Sequence, residues 1–306
     1  MFPLRTILCA TDLGEAADPA IDQAAALAAR EGADLIVLHV VPVPVVLPST
    51  AVEVAPLVDP TIIQAQAQAG LEQQLARHPA ASATREVLRA SASIADEILQ
   101  RAGSLQADLL VVGSHRQSTL ERVLLGSTAA AIVRHARLPV LVARRSAGRG
   151  KVVAATDLSL GSLPALRAAA EEARRRQARL VAVHALDLPP SAQGLGGAAV
   201  VPAPPDDPRS PSAQRQQAEQ RLTAFLQKAE VSAEPVVAEG AAATSVVALA
   251  EQSGVELVVV GTHSKGRLQR VLLGSVADAI VRKAPCSVLT VPAVTAQVDR
   301  VELLDE

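Results

Sequence analysis

Residues 122–128 read RVLLGST, and residues 270–276 read RVLLGSV. An apolar run closed by Gly-Ser is a common way to open a helix, since glycine accepts the turn and serine suits the first helical positions. Meeting it twice, about half a chain length apart, points to a duplicated unit. The flanks agree: residues 4–41, LRTILCATDLGEAADPAIDQAAALAAREGADLIVLHVV, align with 149–186, RGKVVAATDLSLGSLPALRAAAEEARRRQARLVAVHAL. Ala10-Thr11-Asp12-Leu13 falls on Ala155-Thr156-Asp157-Leu158, and His39 on His184. Further on, ADLLVVGSH (107–115) falls on VELVVVGTH (255–263), and LPVLVAR (138–144) on CSVLTVP (286–292). The chain therefore reads as domains over 1–145 and 149–293, joined by the polar stretch RRSAGRGK (144–151) and followed by an acidic tail, 294–306.

Each copy alternates short β-branched runs with Ala-rich helical stretches. In the first, RTILCAT, ADLIVLHVV, 85–90, 107–113 and 139–143 read as strands. Helices fit over 17–31, with Asp18 as N-cap before Pro19, and over 62–77, 93–104 and 127–136. Near-continuous apolar strands suit a parallel sheet covered on both faces, and the β–α alternation implies right-handed crossovers and a doubly wound α/β fold. Two Pro-, Ala- and Gly-rich stretches, 42–61 and 187–212, follow the second strand of each copy and read as long irregular loops.

With 306 residues, 49% of them apolar and 20% charged, the chain is long enough to bury two cores. Two Phe and no Trp or Tyr leave those cores to Ala, Val, Leu and Ile, and remove the stacking platforms that single-strand binders use. A net charge of −2 without a basic run disfavours nucleic acid, because neutralising phosphates needs a positive face. The start, MFPLRTILCATDLG, lacks a signal-length apolar stretch and no window is apolar enough to span a membrane, so a cytoplasmic protein is expected. Cys9 and Cys286 sit in strand-like runs and read as buried small hydrophobes; with no CxxC or Cys/His cluster, no metal site is expected.

In a doubly wound sheet, ligands bind outside the carboxyl ends of the strands, where strand order reverses. Asp12 and Asp157 end the first strand of each copy, and the loops Gly113–Gly126 and Gly261–Gly274 leave the fourth strand for a helix. Glycine lets an anion approach the backbone, and the first helical turn offers free N–H groups and the positive end of its dipole. A plain helix start is the competing reading for those loops. A turn-former or N-cap is the competing reading for the two Asp. Arg116, Arg122, Lys265, Arg267 and Arg270 against Glu121 give the loops a positive balance. His115 and His263 read as solvated loop residues or phosphate contacts, and His39 and His184 as structural histidines. GTHSKGRL (261–268) is not a P-loop, since Arg267 and Leu268 stand where Lys and Ser or Thr must be; GLGG (194–197) follows no strand, and no GxSxG occurs.

The glycine pattern and the order of elements around it resemble the universal stress protein family, and the chain looks like a tandem two-domain, UspA-like member over 4–145 and 149–293. Nucleotide-binding members of that family carry Gly, two residues, Gly, nine residues, then Gly-Ser or Gly-Thr. Here Gly113, Arg116, Gly126 and Ser127 stand at those positions in the first copy, and Gly261, Ser264, Gly274 and Ser275 in the second. The second motif glycine is thus replaced in both, and Arg116 is a candidate phosphate partner in its own right. The resemblance implies a Rossmann-like fold of the adenine-nucleotide α-hydrolase kind. It also implies two halves packed as an intrachain pseudo-dimer through 139–143 and 286–291, with a homodimer as a further option. It implies ATP, alone or with Mg2+, as the ligand. Asp12 and Asp157 would contact ribose hydroxyls and the backbone around Val40 and Ala185 the adenine, with Ala10 and Ala155 also among the nucleotide-binding residues. Gly113, Gly126, Ser127 and Thr128 would line one phosphate site, and Gly261, Gly274, Ser275 and Val276 the other.

Three functions follow as expectations. The first is a stress-response regulator that binds an adenine nucleotide in at least one half, with Ser264 favouring the second half over the bulkier Arg116. The second is a scaffold of the same fold acting through dimerisation or partner binding. An adenylating enzyme is the third, and no nucleophile, base or signature lysine supports it.

Overall fold

The structure is a computed structural model and describes residues 4–42, 59–90, 93–114, 125–145, 148, 150–186, 210–252, 254–262 and 273–293. The chain divides into two compact units at Arg144–Arg145.

The first unit runs β1 (Thr6–Thr11), α1 (Asp18–Glu31), β2 (Asp34–Val41), α2 (Pro60–Ala76), β3 (Thr84–Arg89), α3 (Ile94–Ser104), β4 (Leu109–Gly113), α4 (Ser127–His135), β5 (Val140–Ala143). Its strands pair in parallel in the order β3-β2-β1-β4-β5. The second unit repeats this with β6 (Lys151–Ala155), α5 (Leu163–Arg176), β7 (Arg179–Leu186), α6 (Pro211–Lys228), β8 (Glu234–Glu239), α7 (Ala242–Ala250), β9 (Val255–Gly261), α8 (Ser275–Lys283) and β10 (Ser287–Val291). Its order is β8-β7-β6-β9-β10, again all parallel. In each unit the strand order first runs outward and then reverses between the first and fourth strands, which opens the crevice expected of a doubly wound sheet.

The central strands are buried on both faces, which is why they read as unbroken apolar runs. Ile7, Leu8, Cys9, Leu38 and Leu110 are fully buried in the first unit, and Val152, Val153, Leu257, Val258 and Val259 in the second. Each fully buried Leu or Ile contributes about 2 kcal/mol through area removed from water. Burial pushes the Cys9 thiol up to about 12, so it stays protonated and inert. Cys286 is buried as well.

Element boundaries fall within a residue or two of the sequence reading, with instructive exceptions. Asp18 is not the cap of α1: a single 3₁₀ turn, Glu15–Ala17, leads into the helix, Ala17 holds the cap position, and the Asp18 side chain turns inward. The Pro-rich stretches end earlier than expected, because Pro60 and Pro211 sit in the first turns of α2 and α6. Their caps went unread in the sequence. Asp59 accepts from the Thr61 N–H at 2.8 Å, and Ser210 from the Ala213 N–H at 3.2 Å. Most of 42–61 and 187–212, and the tail 294–306, lie outside the described residues.

Candidate functional site

The crevice of each unit opens at the carboxyl ends of its first and fourth strands. Ala10 pairs with Val112 and Ala155 with Val260, so Asp12 and Asp157 emerge at the same rim as Gly113–Ser114 and Gly261–Thr262. Both Asp residues form the same turn. The Gly14 N–H donates to Asp12 Oδ1 at 3.0 Å, and the Ser159 N–H to Asp157 Oδ1 at 3.0 Å. The turn-forming role weighed for these carboxylates is therefore real. The Ser159 hydroxyl also donates to Asp157 Oδ1 at 2.5 Å. A carboxylate offers about four acceptor sites, so these turn bonds do not exclude a ligand contact.

The residue after each Asp lies in the left-handed region: Leu13 at φ 66° and Leu158 at φ 60°. A non-glycine residue there costs of order 1 kcal/mol or more and persists only where its surroundings over-determine it. Here the restraint is the preceding threonine, whose Oγ1 accepts the Leu13 N–H at 3.0 Å and the Leu158 N–H at 3.0 Å. Side-chain rims with such strain, repeated in both copies, mark a turn held for its shape.

Across the crevice, α4 and α8 open on Gly126 and Gly274 in extended conformation, with no side-chain cap at either start. Ser127 and Ser275 are therefore the first helical residues rather than caps, and the first-turn N–H groups point out of the helix, where an anion is favoured. In the second unit the Gly274 N–H donates to the Thr262 carbonyl at 2.8 Å, so the two ends of that glycine loop meet at the rim. Thr128 and Val276 occupy the next helical position, and Val276 is exposed. Gly113 has a role of its own in packing. A Cβ there would stand 3.1 Å from both the Ala16 carbonyl and the Ala17 Cα, so this glycine lets the end of β4 pass the 3₁₀ turn.

At the end of the second strand of each unit, Val40 is buried, and Val40 and Ala185 lie in parallel ladders beside Leu88 and Ala238. His39 Nδ1 lies 2.9 Å from the Thr11 carbonyl, and His184 Nδ1 3.0 Å from the Thr156 carbonyl. A carbonyl only accepts, so Nδ1 carries the proton in each, and both histidines are the strand-end struts the sequence suggested. The group of Asp turn, glycine loop end and uncapped helix start is thus built in both units. Arg116 and Ser264, with His115, His263 and the loop cations, lie outside the described residues. Among the described residues, no cluster of His, Cys, Asp or Glu could hold a metal ion, and no helix is long and apolar enough to cross a membrane. Two clefts of about 390 and 380 Å3 lie at the opposite rim, one at Asp34 and Thr84, the other at Ala107 and Leu138, away from this group.

One set of site-proximal residues is absent from the sequence reading. Gln74 on α2, 1% exposed, accepts from the Thr11 hydroxyl at 2.7 Å and donates to Asp18 Oδ1 at 3.0 Å and to the Gly14 carbonyl at 3.2 Å. Arg77 donates to Asp18 Oδ1 at 3.2 Å, and His78 lies 2.7 Å from Asp22 Oδ1 and 3.2 Å from Asp18 Oδ1. Burial works to raise the Asp18 carboxyl, but hydrogen bonds from Gln74, His78 and Arg77, with the Arg77 charge, outweigh it and hold that group below its ordinary value. The signal was available: Ala67, Leu71, Gln74, Leu75 and His78 share one helical face, so two polar residues sit on an apolar stripe.

Comparisons with known proteins bear on the family and the fold. The model of the universal stress protein family matches residues 3–144 and again 148–292. A universal stress protein of Mycobacterium tuberculosis is 32% identical over 203 residues, which cover 61% of this chain and 62% of that relative's length. One from Mycolicibacterium smegmatis is 28% identical over 307 residues, covering 93% of this chain and 96% of the relative. Among solved structures, a universal stress protein from Archaeoglobus fulgidus superposes with a TM-score of 0.66 at 17% identity, covering 95% of this chain and all of that one. That likeness speaks for the fold.

Proposed function

This chain belongs to the universal stress protein family, and on that premise we propose that it binds ATP or a related adenine nucleotide in at least one half and acts as a cytoplasmic stress-response regulator. The observation that carries this reading is the duplicated rim, where a helix start with glycine in the cap position and no side-chain cap faces an Asp turn at the strand-order reversal. The donor set suits a nucleotide. Backbone N–H groups of Ser127, Thr128, Ser275 and Val276, with the serine and threonine hydroxyls, would hold phosphates. The carboxylates of Asp12 and Asp157 would repel phosphate but accept from ribose hydroxyls. The backbone at Val40 and Ala185 would read the adenine edge, as that base offers both a donor and an acceptor. Ser264, smaller than Arg116, favours the second half. Mg2+ would enter with the phosphates, as no protein cluster among the described residues is built for it. Equilibrium titration of the full chain with a labelled ATP analogue tests the proposal. Saturable binding below about millimolar, a free energy beyond roughly −4 kcal/mol, is expected, and its absence refutes the reading.

A second reading has its own support. Gly113 is needed for packing against Ala16 and Ala17 whether or not a ligand binds. Arg116 and Ser264 replace the glycine that would sit nearest the phosphates. Both facts suit a scaffold that works through association of its halves or of whole chains. ATP carried through purification at a fixed stoichiometry would count against it.

A further inference from the structure

The threonine before each Asp turn makes the same two-part connection in both units, through residues from different elements. In the first unit the Thr11 hydroxyl donates to Gln74 Oε1 at 2.7 Å, and Gln74 Nε2 donates onward to the Gly14 carbonyl at 3.2 Å. In the second unit Ser162 donates its only hydroxyl proton to the Ser159 carbonyl at 2.8 Å. The Thr156 hydroxyl must therefore be the donor in its 2.8 Å bond to Ser162 Oγ. Ser159 corresponds to Gly14, and Ser162 to Ala17. Each bridge thus starts at the threonine and ends on the carbonyl two residues beyond the Asp, clamping the turn from both flanks.

The placement of the two braces differs. Ser162 lies in the same local turn as Asp157. Gln74 comes from α2, 63 residues from Thr11 along the chain. The same helix meets the turn a second time at Gly70, where a Cβ would fall 2.9 Å from Leu13 Cδ1. In the second unit Arg221 and Phe225 occupy the positions of Gly70 and Gln74, as Leu71 and Leu75 correspond to Leu222 and Leu226.

We propose that Gln74 and Ser162 are the positioning residues of the two sites, and that the first site alone is tied to a remote helix, so that the seating of α2 sets its nucleotide affinity. A threonine hydroxyl whose proton is committed to the brace must present its lone pair to the Leu13 or Leu158 N–H, and this holds the strained residue and the adjacent carboxylate in place. This inference rests on the nucleotide reading for its effect on affinity, but the bracing itself can be read without ligand.

The test uses the full chain with Gln74→Met, which keeps the volume and removes the polar atoms, with Ser162→Ala, and with the rescue pair Ala17→Ser plus Gln74→Met, which copies the second unit's brace. Sites are separated in Asp12→Ala and Asp157→Ala backgrounds and titrated with ATP. Gln74→Met is expected to weaken the first site about tenfold, about one hydrogen bond's worth, and to leave the second unchanged; Ser162→Ala should do the reverse. Hydrogen exchange on ligand-free protein should show faster exchange at Leu13 and Gly14 in Gln74→Met, reversed by Ala17→Ser, with Leu158 and Ser159 unmoved. A helix that merely packs would not be rescued by a serine within the turn itself. Unchanged exchange at Leu13 and Gly14, or equal losses at both sites, overturns the inference. Binding by the second site only overturns its claim on affinity while sparing the nucleotide proposal; no binding at either site, with exchange as expected, refutes the nucleotide proposal and leaves the brace.

Discussion

The contact between the first two helices is solved in opposite ways by the two units. In the first, Asp18, Asp22, Gln74 and His78 form a polar cluster under α2; in the second, Leu163, Arg167, Phe225 and Ala229 stand at the same positions. The exchange recurs across the sheet, where Arg101 on α3 pairs with Glu86 on β3 and Leu249 and Val236 replace them. The second unit keeps its buried ions elsewhere. Glu172 is held at 3.0 Å by both Arg175 and Arg176, and Arg176 reaches Glu256 at 3.4 Å. Duplication preserved the strand core and the rim turns, while the layer between helices drifted. Buried polar networks are costly unless fully satisfied, and they fix one arrangement rather than adding much stability. The first unit therefore carries the more specified helix contact around its site, and the second the more forgiving one.

Exchanging the two solutions should break this comparison most sharply. Gln74→Phe leaves the Thr11 hydroxyl and Asp18 short of a partner and adds volume, so it should cost about 4 kcal/mol. Phe225→Gln, at a half-buried position, should cost about 2 kcal/mol. Denaturant titration followed by far-ultraviolet circular dichroism reads both, as the chain has no Trp or Tyr; equal losses would show that the polar cluster is incidental. Gly113→Ala should cost about 2 kcal/mol, because the atoms it meets are backbone and cannot swing aside. A neutral result would return that glycine to the ligand alone. Ser162→Ala should cost about 1 kcal/mol through the lost Thr156 bridge.

The smallest effect lies in acid. The Asp18 carboxyl is held below its ordinary value in the folded chain. Its contribution is therefore complete above the unfolded carboxylate range, about 4, and fades as pH falls through the lower folded value. Asp18→Asn should flatten the stability–pH curve below about pH 4, whereas Leu163→Asn, its counterpart in the second unit, should leave that acid limb as steep as before. Identical curves for Asp18→Asn and the parent chain would contradict the assignment.

Much of the fold was legible because its signals are local. Unbroken apolar strands, the ATDL repeat and the paired Gly-Ser helix starts each declare an element or a rim without reference to anything distant. The rim was legible to the same degree: Asp12 and Asp157 could be placed from the ends of the first strands, and Gly126 and Gly274 from the Gly-Ser helix starts. What stayed hidden depends on pairings between remote residues. Asp18 before Pro19 looks like a cap, and only the arrival of α2 shows why it turns inward. Gln74 is one glutamine among several until the Thr11 hydroxyl is seen against it. The left-handed backbone at Leu13 and Leu158 has no glycine to announce it, since the threonine and Asp bonds enforce it instead.

The most direct test of the central claim is a crystal structure of the full chain grown with ATP and Mg2+. The account predicts triphosphate at the first turn of α4 or α8 and ribose against Asp12 or Asp157 in at least one unit. Both helix starts empty of nucleotide at saturating concentration, with Arg116 and Ser264 filling the space before them, would contradict it.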